Sequence, residues 1–240
     1  MAETQRAYLA FDLEISKSFP DGVADWRPYR PFGISCAATQ SAGESLHWYG
    51  KNADGKPADK MSRAEAVQLV EYLQNETASG KTIVTWNGAG FDFDILAEES
   101  GLTKACQELA LKHVDMMFHF FCKQGYMLGL DKAAKGMGLV GKTAGFSGAL
   151  APQYWQSGRR QEVLDYVAQD ASTTLSLCQL AEQRGALAWT SSTGKSQSMS
   201  LKSGWLTVKD ALDLPLPDTA WMKQPIKRSK FTGWLSQQPV

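Results

Sequence analysis

The run Tyr8-Leu9-Ala10-Phe11-Asp12-Leu13-Glu14 constrains this chain more than any other, because it sets two carboxylates into an otherwise apolar segment. Side chains alternate along a strand, so Asp12 and Glu14 share a face with Tyr8 and Ala10, while Leu9, Phe11 and Leu13 point the other way. That pattern predicts a central strand, covered on both sides, that delivers an acidic pair from inside a core. Two like charges held side by side away from water are costly unless a cation joins them. The plainer alternative is a strand end whose carboxylates reach solvent, and the segments that follow weigh against it.

With 240 residues, 43% of them hydrophobic, the chain can bury one full core and carry an appended piece. Lys plus Arg and Asp plus Glu number 25 each, so no overall basic field advertises a polyanionic partner. The balance is uneven: seven Lys or Arg against three Asp from Trp189 onward give +4, which leaves −4 on residues 1–188. The expected organisation is an acidic body over 1–188 and a basic extension over 189–240, the latter holding Trp205, Trp221 and Trp234 with Lys223, Lys227, Arg228 and Lys230. About fifty residues are marginal as a free domain, so the extension should dock on the body. Cys36, Cys106, Cys122 and Cys178 form no C-x-x-C pair, which argues against a zinc knuckle or a dithiol site and for reduced core thiols. No leader-like segment or run of membrane-spanning length is visible, so the expectation is a soluble, cytoplasmic protein.

Along the chain, Ser16 to Pro31 is broken by Pro20, Pro28 and Pro31 and reads as a long loop beside the acidic pair. Its Trp26, Arg27, Tyr29 and Arg30 suit either anchoring to the core or base stacking, and anchoring is the expected role. Phe32–Thr39 and Ser45–Tyr49 read as strands that form an antiparallel meander with the first. Ser62 to Glu65 is a capping box that opens a helix closed by Gly80, and Thr82–Trp86 is a fourth, buried strand. Asn87-Gly88-Ala89-Gly90 is a tight turn, and Phe91 begins a helix that Gly101 ends. A fifth strand is expected at His113–Met116, then a core helix over Met117–Gln124 and a short helix over Leu128–Gly138. Residues 140–157 are Gly-rich and irregular, Gln161–Arg184 is the longest helical pattern, and Ser191–Ser203 reads as a linker or a mobile hairpin tip. Three antiparallel strands, then strand-helix alternation, then a long helix is the order of an α/β, ribonuclease-H-like mixed sheet flanked by helices.

The chemical candidates are Asp12 and Glu14 on the first strand, Asp92 at a helix start, and Asp170 on the apolar stripe of the long helix. Four carboxylates from three distant segments suit two divalent cations about 4 Å apart, which need oxygen ligands to neutralise them. Hard ligands favour Mg2+ or Mn2+ over zinc or copper. Tyr166 precedes Asp170 by one helical turn, so the phenol stands beside that carboxylate as a positioner of water more than as a strong base; the alternative is a tyrosine packed in the core.

The runs Phe11-Asp12-Leu13-Glu14, Asn87 to Asp92 with Leu96, and Tyr166 to Asp170 resemble, in order, the three exonuclease motifs of the DEDD superfamily in its tyrosine-containing branch, which includes the proofreading domains of family B DNA polymerases. The likeness covers roughly residues 6 to 185. It implies a 3′-to-5′ exonuclease that hydrolyses phosphodiesters at single-stranded DNA or RNA 3′ ends with two Mg2+ or Mn2+ ions. It also implies that Asp12 bridges both ions, Glu14 and Asp170 hold the ion that activates water, and Asp92 supports the second. Asn87, Phe91 and Leu13 become the substrate-binding candidates. The histidine branch places its base where Asp165 stands, so the tyrosine branch fits better. Asp94 is expected to serve the helix N-terminus and Asp115 to act as a local cap, neither as a ligand. The readings kept beside this one are an inactive exonuclease fold that binds nucleic acid and a ribonuclease-H-like endonuclease.

Overall fold

In the computed structural model, which describes residues 6–236 apart from 21, 24, 142–145 and 147, β1 (Tyr8–Ile15) runs through the middle of a five-stranded sheet. It pairs antiparallel with β2 (Ile34–Gln40), and β2 pairs antiparallel with β3 (Ser45–Tyr49). On its other side it pairs parallel with β4 (Thr82–Thr85), which pairs parallel with β5 (Val114–Asp115). The order β3-β2-β1-β4-β5 is the mixed sheet that the sequence leads one to expect. The register of β1 against β2 shifts between Glu14 and Ile15, an irregularity that falls beside the acidic pair.

Alternation along β1 sorts the core into two layers. Leu9, Phe11 and Leu13 pack with α1 (Arg63–Ala78), α2 (Asp92–Ser100) and α3 (Thr103–Lys112). Tyr8 and Ala10 pack on the opposite side with α7 (Arg160–Arg184), the longest helix. Asp12 and Glu14 therefore belong to the face that α7 covers. Ahead of α7 come α4 (Met116–Gln124), a core helix capped by Asp115 as expected, α5 (Leu130–Gly136) and α6 (Ala151–Gln156).

Two helices differ from the expectation, and one open alternative is decided. Helix α3 fills the stretch between Gly101 and His113, burying Cys106, Leu109 and Ala110 at helical spacing. Helix α6 falls inside the region read as irregular; its Pro152 sits in the first turn, where a missing N–H costs nothing. The polar tract after residue 190 is a hairpin tip between β6 (Ala186–Thr190) and β7 (Ser196–Ser200), and Met199 turns its side chain into the core.

Strand β6 crosses residue 188, and the residues beyond it spread over the whole body. Trp189 and Trp205 lie in the layer under α7, Trp234 in the layer of α1 to α3, and α8 (Val208–Leu212) and α9 (Ser229–Thr232) pack on α4. All four cysteines are free and buried. Among the described residues, no helix is long and apolar enough to cross a membrane.

Candidate active site

At the carboxyl end of β1 the chain leaves a cavity of about 460 Å³. Its walls come from β1, the turn after β4, the start of α2, and α7. Asp12, Glu14, Asp92, Tyr166 and Asp170 all line it, and so do Leu13, Asn87 and Phe91. Every site residue picked out from the sequence thus faces one space.

Local structure explains how each arrives there. Asn87 is the one non-glycine residue with positive φ among those described, at 75°, a conformation that asparagine tolerates better than most residues. It starts a turn in which the buried Asp115 carboxylate accepts the N–H groups of Asn87 and Ala89 at 2.9 Å each, as well as that of Phe118 in α4. A Cβ at Gly90 would stand 2.8 Å from both Asn87 Oδ1 and a ring carbon of the buried Phe231, so one of these side chains would have to shift to admit it. The turn is also gripped from the extension, because Trp234 Nε1 donates to Ala89 O at 2.7 Å in a buried contact. Asp92 then opens α2, and its Oδ1 accepts the N–H of Leu13 at 3.0 Å, which ties the second acidic segment to the first strand.

Electrostatics mark the same spot. Burial pushes the Asp92 carboxyl up to about 7; the Leu13 N–H opposes this, and the charges of Asp115 and Asp170 reinforce it. The Tyr166 phenol is held far above its ordinary range, first by burial, then by the charges of Asp170 and Glu14, by its hydrogen bond to Asp170, and by Asp12. It stays protonated at neutral pH. Phe146 stacks on its ring, with centroids 4.3 Å apart and planes 27° from parallel. Gly148 lies over Glu14 and Tyr166, close enough that a Cβ would approach the Glu14 carboxylate to 3.5 Å.

Among the described residues, no three Asp, Glu, His or Cys side chains gather tightly enough to hold one metal ion. The donor set nonetheless suits a hard divalent cation: it is all oxygen, it faces one cavity, and the charge of Asp170 adds to the burial that raises the proton affinity of Asp92, which a cation would relieve.

Asp94 does not stand at the cavity. It is buried under the long loop, where Arg27 Nε donates to Oδ2 at 3.0 Å and Arg30 Nη2 lies 2.6 Å from Oδ1. Both guanidiniums sit 4.8 Å from the Trp26 ring, and that ring packs edge-on against Phe32 and Phe91. Trp26, Arg27 and Arg30 are therefore anchors, whereas Tyr29 is exposed, and Asp94 serves as the counter-charge of the two arginines in addition to standing in the first turn of α2. Ser18 and Phe19 of this loop reach the cavity, as do Trp86 and Met127, none of which the sequence singled out. A loop next to the acidic strand was the available signal for Ser18 and Phe19.

Residues 45–181 match the family model described as the RNase_H superfamily. This is more than half of the chain, which therefore belongs to that superfamily. The matched span begins at β3, after Asp12 and Glu14. The fold is similar to that of the family B DNA polymerase from the hyperthermophilic archaeon Pyrobaculum calidifontis, at 18% identity and a TM-score of 0.50 over 75% of this chain and 24% of the polymerase. Exonuclease I is also similar, at 15% identity and a TM-score of 0.43 over 75% of this chain and 41% of that one. The chain spans about a quarter of the polymerase and about two fifths of exonuclease I, and the likeness to the polymerase, at 18% identity, is one of fold alone. No curated protein sequence matches the chain.

Proposed function

We propose that the chain is a metal-dependent 3′-to-5′ exonuclease of the tyrosine-containing DEDD branch, acting on the end of single-stranded DNA or RNA. One observation carries this reading: four carboxylates and a tyrosine, delivered by three distant segments in the branch's order, line a single cavity. Asp12, Glu14, Asp92 and Asp170 would hold two Mg2+ or Mn2+ ions. Such ions, when bound, lower the pKa of water and offset charge on a phosphodiester.

The remaining roles belong to the chain itself. Tyr166, protonated and donating to Asp170, orients a water molecule without acting as its base. Asp92, fixed by the Leu13 N–H, keeps the second acidic segment in register with β1. Phe91 and Leu13 supply apolar wall for a terminal base, and Asn87 Oδ1, enclosed without a hydrogen-bond partner among the described residues, offers an acceptor to a donor on that nucleotide. The basic extension gripping the Asn87 turn helps offset the acidic body that would otherwise repel the substrate.

The ungathered carboxylates favour one other reading, a nucleic-acid-binding module of the same fold. Digestion of end-labelled oligonucleotides in Mg2+ or Mn2+ by wild type and Asp12→Asn separates the two. Metal-dependent shortening that vanishes in the variant supports the enzyme, and equal inertness on DNA and RNA supports the module. Cleavage of closed single-stranded circles would replace the exonuclease with an endonuclease.

A further inference from the structure

Outside the cavity mouth the chain exposes a large aromatic face that its own packing does not use. Trp221 is 66% exposed, in a segment without regular structure between α8 and α9. Its placement is nevertheless defined. Its Nε1 donates to Asp218 O at 3.2 Å, and its ring meets Tyr126 edge-on, with centroids 6.2 Å apart. Tyr126 is seated edge-on against the buried Phe120, and the next residue, Met127, is 45% exposed and lines the cavity. Met127 at the cavity wall is thus preceded in the chain by the half-buried Tyr126, whose ring meets the exposed Trp221.

The segment that carries Trp221 is held as a unit. Arg228 turns inward and donates to the carbonyls of Leu212, Leu214, Pro215 and Cys122, fastening both ends of the segment to α4. Within this segment the exposed Lys223 and Lys227 match the exposed Asp213 and Asp218 in number, the inward Arg228 leaves it with one net positive charge, and the exposed Lys230 follows in α9. A surface that pairs exposed aromatic area with positive charge, and is linked through Tyr126 and Met127 to a cavity lined by carboxylates, matches the chemistry of a single strand: bases stack and phosphates are neutralised.

We propose that Trp221, with Tyr126 and Met127 beside it, is a stacking platform for the nucleotides that precede the terminal one, so that a single strand is held by the extension while its 3′ end occupies the cavity. This rests on the exonuclease reading for the direction of the strand, but the platform is tested by binding alone. The experiment compares fluorescein-labelled dT12 with a trinucleotide by anisotropy in magnesium, using full-length Asp12→Asn, which should not consume the probe, with and without Trp221→Ala or Trp221→Phe. The platform predicts that dT12 binds more tightly than the trinucleotide, that Trp221→Ala weakens dT12 by about 5- to 100-fold and removes most of that advantage, and that Trp221→Phe keeps it. Raising salt should weaken dT12 with a slope that falls in Lys223→Gln. Equal dT12 affinity with and without Trp221→Ala overturns the platform, as does an absence of dT12 binding, or an equal loss in Phe and Ala variants. Wild-type digestion of dT12, scored separately, decides the exonuclease reading, so either idea can fail while the other stands.

Discussion

Replacing Asp94 with Ala should loosen the loop over the cavity without touching any proposed ligand. The Asp94 side chain is 4% exposed, and the two arginines that meet it are 27% and 24% exposed. Breaking a fully buried pair costs about 3–5 kcal/mol. An exposed pair contributes about 0–1 kcal/mol. With a buried acid and partners a quarter exposed, Arg27 making a directed hydrogen bond and Arg30 keeping Glu98 at 3.4 Å, the loss should be about 2 kcal/mol. For a chain of 240 residues this lowers Tm by about 4–8 °C. Urea denaturation should show the midpoint falling with an unchanged slope. Because Ser18 and Phe19 line the cavity from that loop, KM for an oligonucleotide should rise more than kcat falls. Asp94→Asn, which keeps an acceptor for Arg27, should lose less. A variant Asp94→Ala within 0.5 kcal/mol of wild type and with unchanged KM would refute the reasoning and leave the loop held by Trp26 packing alone.

Trp234→Phe strands the buried Ala89 carbonyl and should cost about 1–3 kcal/mol, read by thermal denaturation, while lowering activity through the turn that carries Asn87. Burial holds the His113 imidazole down at about 4, so the native state stays neutral where the unfolded chain begins to protonate near 6.5. Its contribution is fully present above about 6.5 and is lost as pH falls through 4, up to about 3 kcal/mol. Asp92 and Asp115, raised to about 7 and about 6, act in the opposite direction over that range, so the readout is the difference between wild type and His113→Gln, which should narrow as pH falls from 6.5 to 4. In EDTA, Asp12→Asn should be as stable as wild type or more so, since it removes one of several crowded charges; magnesium should raise the Tm of wild type more than that of the variant, and a large metal-free loss in Asp12→Asn would contradict this.

The sequence revealed the parts of the fold that rest on local pattern. Alternation in β1 foretold which side chains enter which layer, and the spacing of Tyr166 and Asp170 put both on one side of α7. Helix α3 was hidden because its N-cap is Leu102, which makes no side-chain cap, and because it follows a glycine C-cap that reads as an end. Helix α6 was hidden by a proline that breaks helix interiors but not first turns. The partners of Asp94 lie 67 and 64 residues earlier, and the clasp of Trp234 on Ala89 spans 145 residues, so no window of sequence could show either. The same holds for the alignment of Met127, Tyr126 and Trp221, which depends on an extension whose folding onto the body is tertiary.

The central claim is most directly tested by following 5′-labelled single strands, DNA and RNA of matched sequence, with free or blocked 3′ ends, in magnesium and in manganese. The account predicts stepwise shortening of the strand with a free 3′ end, protection of the blocked strand, and silence of Asp12→Asn and Asp170→Asn. Loss of nucleotides from the 5′ end, or activity that survives in Asp12→Asn, would contradict it.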